Sequence, residues 1–205
     1  NEADIIALKM DNCFALDYPA EKLTILWVTD GSTDESNALL STYPAVELLF
    51  SPERLGKTAA INHAMTAVKT PLLVFTDANC LLSTAALKLM VRAFDDPTIG
   101  CVAGEKRITY YQGDSASSKG EGVYWEYESL LKKWDARYYS TVGAAGELYA
   151  IRSALYSPMS TTILLDDFVQ SMHIAQAGYR IAYTPEAYAV ERGSLDIKEE
   201  GKRKK

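Results

Sequence analysis

The feature that most constrains this chain is the alternation, through its first half, of short apolar β-type runs with segments of helical period. Leu23 to Val28, Val46 to Phe50, Leu72 to Phe75 and Ile99 to Ala103 are rich in branched and aromatic residues and read as buried strands. Between them, Lys57 to Lys69 sets Ile61, Ala64, Met65 and Val68 on one helical stripe. Ser83 stands where it would cap a helix carrying Leu87, Met90, Val91 and Phe94. Strands separated by helices imply crossover connections and a mostly parallel central sheet flanked by helices, whose ligands gather at the carboxyl ends of the strands. A chain of 205 residues can bury a sizeable core as one α/β domain.

The texture changes after Gly104. Gln112 to Gly122 is rich in Ser and Gly and reads as a loop. A helix bearing Tyr124, Tyr127, Leu131 and Trp134 follows, with helical spacing that favours core packing over a sugar-stacking role. Next come the glycine-rich Gly143 to Gly146, a short segment Leu148 to Ile151, a helix after Asp167 and a strand Tyr179 to Tyr183. No repeat or long linker divides the chain, so it reads as a single domain.

Charge narrows the function. A formal net charge of -6 excludes a general nucleic-acid binder, which needs a basic face for phosphates. The terminal Lys202-Arg203-Lys204-Lys205 reads as a solvated tail, or as a block facing an anionic membrane leaflet. Cys13, Cys80 and Cys101 are odd in number and show no metal or redox spacing, which fits a reducing compartment. The apolar runs are too short to span a bilayer, and the N-terminal residues are not a signal peptide.

Four segments carry chemistry. Thr29-Asp30-Gly31-Ser32-Thr33-Asp34 follows the apolar run Ile25 to Val28, so Asp30 sits at a strand end and Asp34 is ready to cap the next helix; alone, it is equally a plain turn. Thr76-Asp77-Ala78-Asn79 follows Leu72 to Phe75 and offers two oxygen-bearing side chains, suited to Mg²⁺ or Mn²⁺ on a diphosphate. Adjacent strands of one sheet would bring Asp30 and Asp77 to the same edge. Gly56-Lys57-Thr58 opens a helix whose N-terminus favours anions. It is not a Walker A loop, because Ser51 stands where that motif has its first glycine. Asp166-Asp167 begin an apolar helix, either complementing its dipole or supplying a base whose pKa the neighbouring carboxylate raises. His63 and His173 lack partners at metal-ligand spacing and read as structural.

In order along the chain, Asn1-Glu2, Asp30 to Asp34, Gly56-Lys57 with Asn62, Asp77-Ala78-Asn79, Gly143 to Arg152 and Asp166-Asp167-Phe168 resemble glycosyltransferase family 2. Gly178-Tyr179-Arg180 and Pro185-Glu186-Ala187, after the acidic pair, resemble its membrane-bound polysaccharide-synthase branch.

The resemblance implies a GT-A nucleotide-sugar-binding fold, with residues 1–104 as the nucleotide-sugar half and 105–205 as the acceptor half. It implies a UDP-sugar donor, a divalent cation (Mg²⁺ or Mn²⁺), inversion by direct displacement, and a saccharide or lipid-linked acceptor. Carried over by position, Asp30 contacts the nucleobase, Lys57 the nucleotide or diphosphate, and Asp77 the ribose or cation. Glu2 and Asn62 join them on the donor side, and Asn79 stands where many members have a second metal-binding Asp. Asp167 becomes the general base, with Asp166 in support.

The same likeness places Asn1-Glu2 just after the family's first strand, which is then missing here, and the chain reaches Lys205 without a Gln-x-x-Arg-Trp-like acceptor motif. It implies a segment of a longer protein at the cytoplasmic face of a membrane, attached through parts outside this chain. Two rivals remain at this point. A binding module would hold the donor without transfer, and a nucleotidyltransferase would release pyrophosphate.

Overall fold

A computed structural model of the chain describes residues 1–109 and 116–192; side chains at 109, 116–124, 126 and 192 are likewise outside the description. Among the described residues, six α-helices and seven strands follow one another as α1 (Ala3–Phe14), β1 (Ile25–Asp30), α2 (Ser36–Leu40), β2 (Val46–Ser51), α3 (Lys57–Met65), β3 (Leu72–Phe75), β4 (Leu81–Leu82), α4 (Ala86–Ala93), β5 (Ile99–Thr109), α5 (Ala116–Tyr138), β6 (Tyr149–Arg152), α6 (Asp166–Gln176) and β7 (Arg180–Arg192).

The four strands expected in the first half form where the branched and aromatic runs lie. The sheet is mixed, however, and not mostly parallel. β1 pairs in parallel with β2 as a separate ribbon, while the other five strands lie in the order β3-β6-β5-β7-β4. In the larger sheet only β5 and β7 are parallel; β3 with β6, β5 with β6, and β4 with β7 run antiparallel. The glycine-rich segment sends β6 back between β3 and β5, and this return has no counterpart in the regular strand-helix alternation upstream.

β1 and β3 do not pair. Between them lies an apolar cleft of about 630 Å³ bordered by Leu23 to Val28 on one side and Leu72 to Thr76 on the other. Asp30 and Asp77 therefore end strands of different sheets, and another element has to join them.

Three apolar clusters hold the layers. Met90, Phe94, Val102, Leu148 and Ala189 pack α4 against one face of the larger sheet, and Cys101, Tyr149, Ile151, Ile174 and Ile181 pack α6 against the other. Ile6, Met10, Cys13 and Leu40 join α1 and α2 to the β1-β2 ribbon. All three cysteines are buried and free, and burial pushes the Cys80 thiol up to about 12, so it is inert at neutral pH.

Several local expectations change in three dimensions. α3 stops at Met65, short of Lys69. Ser83 does not cap α4: its hydroxyl donates to the Glu186 carbonyl and accepts the Tyr188 N–H, tying the turn to β7. Of the expected loop at 112–122, residues 112–115 lie outside the described residues and 116–122 already belong to α5. On α5, Tyr127, Leu130, Trp134 and Tyr138 face solvent instead of the core. β7 runs well past Tyr183, because parallel pairing with β5 continues beyond a register shift at Ala103 and Glu105. Among the described residues no helix is long and apolar enough to cross a membrane; Lys202 to Lys205 lie outside them.

Candidate active site

The site is assembled around the N-terminus of α3. β1 ends at Asp30, and the chain turns through Gly31, whose φ of +63° and close approach to Arg54 leave no room for a side chain. A Cβ there would lie 2.7 Å from the Arg54 backbone nitrogen. Asp30 then grips the next loop, accepting the backbone N–H groups of Leu55 at 2.9 Å and Gly56 at 2.7 Å. Gly56 takes a φ of +96°, and α3 begins at Lys57. Asp30 thus orients the helix that carries the lysine, and its carboxylate is already occupied by backbone donors.

Lys57 reaches across the gap between the sheets to Asp77 at the end of β3, with 3.0 Å between Nζ and Oδ1. This contact makes the link that adjacent strands were expected to make. Burial pulls the Lys57 ammonium down, but Asp77 and Asp166 outweigh it and hold its pKa above the ordinary value. Asp77 also titrates above its usual range. Burial raises it, Lys57 opposes, and the charges of Glu147 and Glu191 add to the rise. The two shifts agree physically: negative charge around this lysine exceeds what one ammonium compensates.

Across from Asp77, α6 brings the acidic pair. Asp166 is buried, with Oδ2 lacking a hydrogen-bond partner, and burial ahead of its neighbour Asp167 raises its carboxyl. Asp167 points at the bare backbone of Gly146. A Cβ placed on Gly146 would lie 3.1 Å from Lys57 Nζ and 3.3 Å from Asp167 Oδ2. The helix N-cap is Leu165, and it makes no side-chain cap hydrogen bond. Both aspartates lie in the first turn, where their charge complements the helix dipole.

Glu2 lines a cavity of about 300 Å³ with Asp77, Ala78 and Asn79. The start of α1 is held there by the Asp30 to Ser36 loop: Asp34 accepts the N–H groups of Ala3 and Ser36, and the Glu2 N–H donates to Ser36 Oγ. Asn62 faces elsewhere. Its amide donates to the Met159 carbonyl and accepts the Tyr156 hydroxyl at 2.6 Å and the Met159 N–H, anchoring the segment before α6. Asn79 is also engaged, its nitrogen donating to Glu191 at 2.9 Å and its oxygen facing the Cys80 thiol. Glu2 and Asp77, the latter bound to Lys57, are the carboxylates that border this cavity.

Among the described residues there is no group of three or more His, Cys, Asp or Glu able to hold a metal by itself. The surplus of carboxylates around Lys57 and the open cavity beside Asp77 fit a cation carried in by a diphosphate. Mg²⁺ and similar ions bind through one or two carboxylates together with phosphate oxygens and water.

Lys9, Lys106 and Glu191 had no motif to announce them, whereas Glu147 falls within the Gly143 to Arg152 segment. Lys9 is buried on α1, donating to Thr76 Oγ1 and to the carbonyls of Asp77 and Cys80, and so fixes the turn that holds Asp77. Its only sequence signal is a lysine on an otherwise apolar helical stripe.

The mixed α/β fold thus brings an acidic strand-end turn and an acidic helix start together around one lysine. The chain belongs to Glycosyl transferase family 2, whose model matches residues 1–156. It is 28% identical over 199 residues to the poly-beta-1,6-N-acetyl-D-glucosamine synthase of Staphylococcus aureus, covering 90% of this chain and 46% of that protein. It therefore spans about half the length of the curated relatives it matches.

Among solved structures, the Pyrobaculum calidifontis mannosyltransferase PcManGT in complex with GDP-Man and Mn²⁺ superposes with a TM-score of 0.80 at 29% identity, covering 93% of this chain and 54% of that one. S. aureus TarS in complex with UDP-GlcNAc superposes with a TM-score of 0.68 at 16% identity, over 93% of this chain and 56% of that one, and shares the fold.

Proposed function

We propose that this chain is the catalytic unit of an inverting transferase that moves a sugar from a UDP-sugar to a saccharide or lipid-linked acceptor. The observation that carries the reading is the convergence of Lys57 and Asp167 on the bare backbone of Gly146, with Asp77 bound to the same Lys57 ammonium. A cation for the leaving group, an acid to hold a metal and a base for the acceptor are what direct displacement at an anomeric carbon requires.

In this reading residues 1–104 hold the donor, with Glu2 and Asp77 bordering its cavity. Lys57 meets the diphosphate and stabilises the charge that develops as the anomeric C–O bond breaks. Mg²⁺ or Mn²⁺ on Asp77 would share that neutralisation. Asp167, from the acceptor half at 105–205, takes the proton of the attacking hydroxyl as the new C–O bond forms, and UDP departs. Asp166 supports the base from its buried position. Asp30 acts through the loop it grips, and reaches a nucleobase only if those backbone hydrogen bonds are shared. Attachment to the cytoplasmic face of a membrane belongs, in this reading, to the longer protein.

The test is nucleotide release by the full-length protein, supplied with UDP-N-acetylglucosamine or GDP-mannose, Mn²⁺ and a saccharide acceptor. UDP release that disappears in Asp77→Asn supports the proposal. Release of GDP alone reassigns the donor, release of sugar 1-phosphate in place of the nucleoside diphosphate points to a nucleotidyltransferase, and binding without release leaves a binding module.

A further inference from the structure

Beside the site lies a charge cluster that the reaction scheme does not use. Lys106, on β5, places its ammonium 2.5 Å from Glu147 Oε1 and 2.8 Å from Glu191 Oε2, and 4.7 Å above the Trp125 ring. Its side chain is only 10% exposed, and those of the two glutamates 16% and 19%. Each glutamate leads to a different part of the site. Glu147 is the neighbour of Gly146, the floor beneath Lys57 and Asp167. Glu191, on β7, accepts the Asn79 amide through its other oxygen, and Asn79 lies two residues beyond Asp77 on the same turn.

We propose that Lys106 is a positioning residue that sets the Asp77 turn for its cation, acting through Glu191 and Asn79. The proposal rests on the donor-site reading above. Two carboxylates drawn to one ammonium are held close together against their own repulsion by the charge between them. With one oxygen on Lys106, Glu191 presents the other to Asn79 in a fixed direction. Asn79 is thereby kept as a donor to β7, and the turn it belongs to keeps Asp77 facing Lys57. Trp125 closes the cluster on the side of α5, where a cation over a ring face is favourable.

The electrostatic field and the tether make opposite forecasts. Removing a positive charge near Asp77 strengthens any nearby divalent site through the field alone. Losing the tether weakens it. The measurement is the Mn²⁺ concentration that half-saturates UDP binding to the full-length protein, taken by calorimetry alongside the melting temperature.

In Lys106→Met, which keeps the stem and loses the charge, we expect that midpoint to rise about tenfold, a coupling of ordinary size for residues in one network. Lys106→Arg, which can still bridge both glutamates, returns it to within about threefold of the parent. Adding Lys106→Met to Asn79→Ala produces no further change, because the relay is already cut. An unchanged or lowered midpoint in Lys106→Met overturns the proposal, as does additivity in the double variant. If Lys106→Met does not fold, the Arg variant and Asn79→Ala still decide: an unchanged midpoint in Asn79→Ala overturns the relay. A parent protein that shows no Mn²⁺-dependent UDP binding refutes the donor-site reading itself, which is a different result from a parent that binds and variants that do not differ.

Discussion

Gly146 offers the most direct test of the site, because activity and stability should move in opposite directions. Its would-be Cβ lies 3.1 Å from Lys57 Nζ and 3.3 Å from Asp167 Oδ2, inside the ~3.5 Å of ordinary contact. In Gly146→Ala both side-chain ends must give by a few tenths of an ångström. Each is the far end of a flexible chain, so the fold can absorb this, but the space between base and ammonium shrinks. Reaction geometry tolerates little, since about 1 Å of misplacement can cost roughly 10²-fold.

A shift of a few tenths should therefore lower transfer about tenfold, with UDP affinity changed less than about threefold because the phosphate side of Lys57 stays open. Unlike Gly31 and Gly56, Gly146 does not have a positive φ, so alanine is conformationally admissible. Its restriction of the unfolded chain adds about 0.4–1 kcal/mol, equivalent to roughly 1–4 °C in melting temperature at this size. Turnover, UDP calorimetry and a thermal melt on one preparation check all three quantities. Unimpaired transfer with the alanine in place would show that the space above Gly146 is not where the reaction occurs.

Asp167→Asn keeps the size and removes the base, so transfer should fall by at least about 10²-fold with UDP affinity and the melt little changed; near-normal turnover would move the base to another carboxylate. Asp77→Asn should abolish Mn²⁺-dependent UDP binding in calorimetry, and unchanged affinity would remove Asp77 from the site. Asp166→Asn should stabilise the fold near neutral pH. The wild-type carboxyl, raised first by burial, binds its proton more tightly folded than unfolded, so its cost is present above the folded pKa and vanishes as pH falls below the ordinary value of about 3.9. The variant should therefore melt higher than the parent at pH 7, with the gain shrinking toward pH 4; a gain independent of pH would refute the assignment.

Local chemistry was legible from the residues alone. Apolar runs of branched and aromatic residues become β1, β2, β3 and β5, the carboxylates that follow β1 and β3 do sit at strand ends, and Lys57 does open a helix. Each depends on contacts within a few residues, and the order of these motifs along the chain sufficed for the family. What the neighbours do with those groups was not legible. Asp30 is spent on the backbone at Leu55 and Gly56, Asn62 on the segment from Tyr156 to Met159, and Asn79 on Glu191. Those partners lie as far as 112 residues away, and no spacing rule reaches them.

Tertiary structure alone decided that β6 returns antiparallel between β3 and β5, and that Lys106 would find two glutamates. A side chain's preferences are written in its own atoms, whereas hydrogen-bond commitments and buried charge pairs depend on which groups the packed layers bring within about 3 Å of one another.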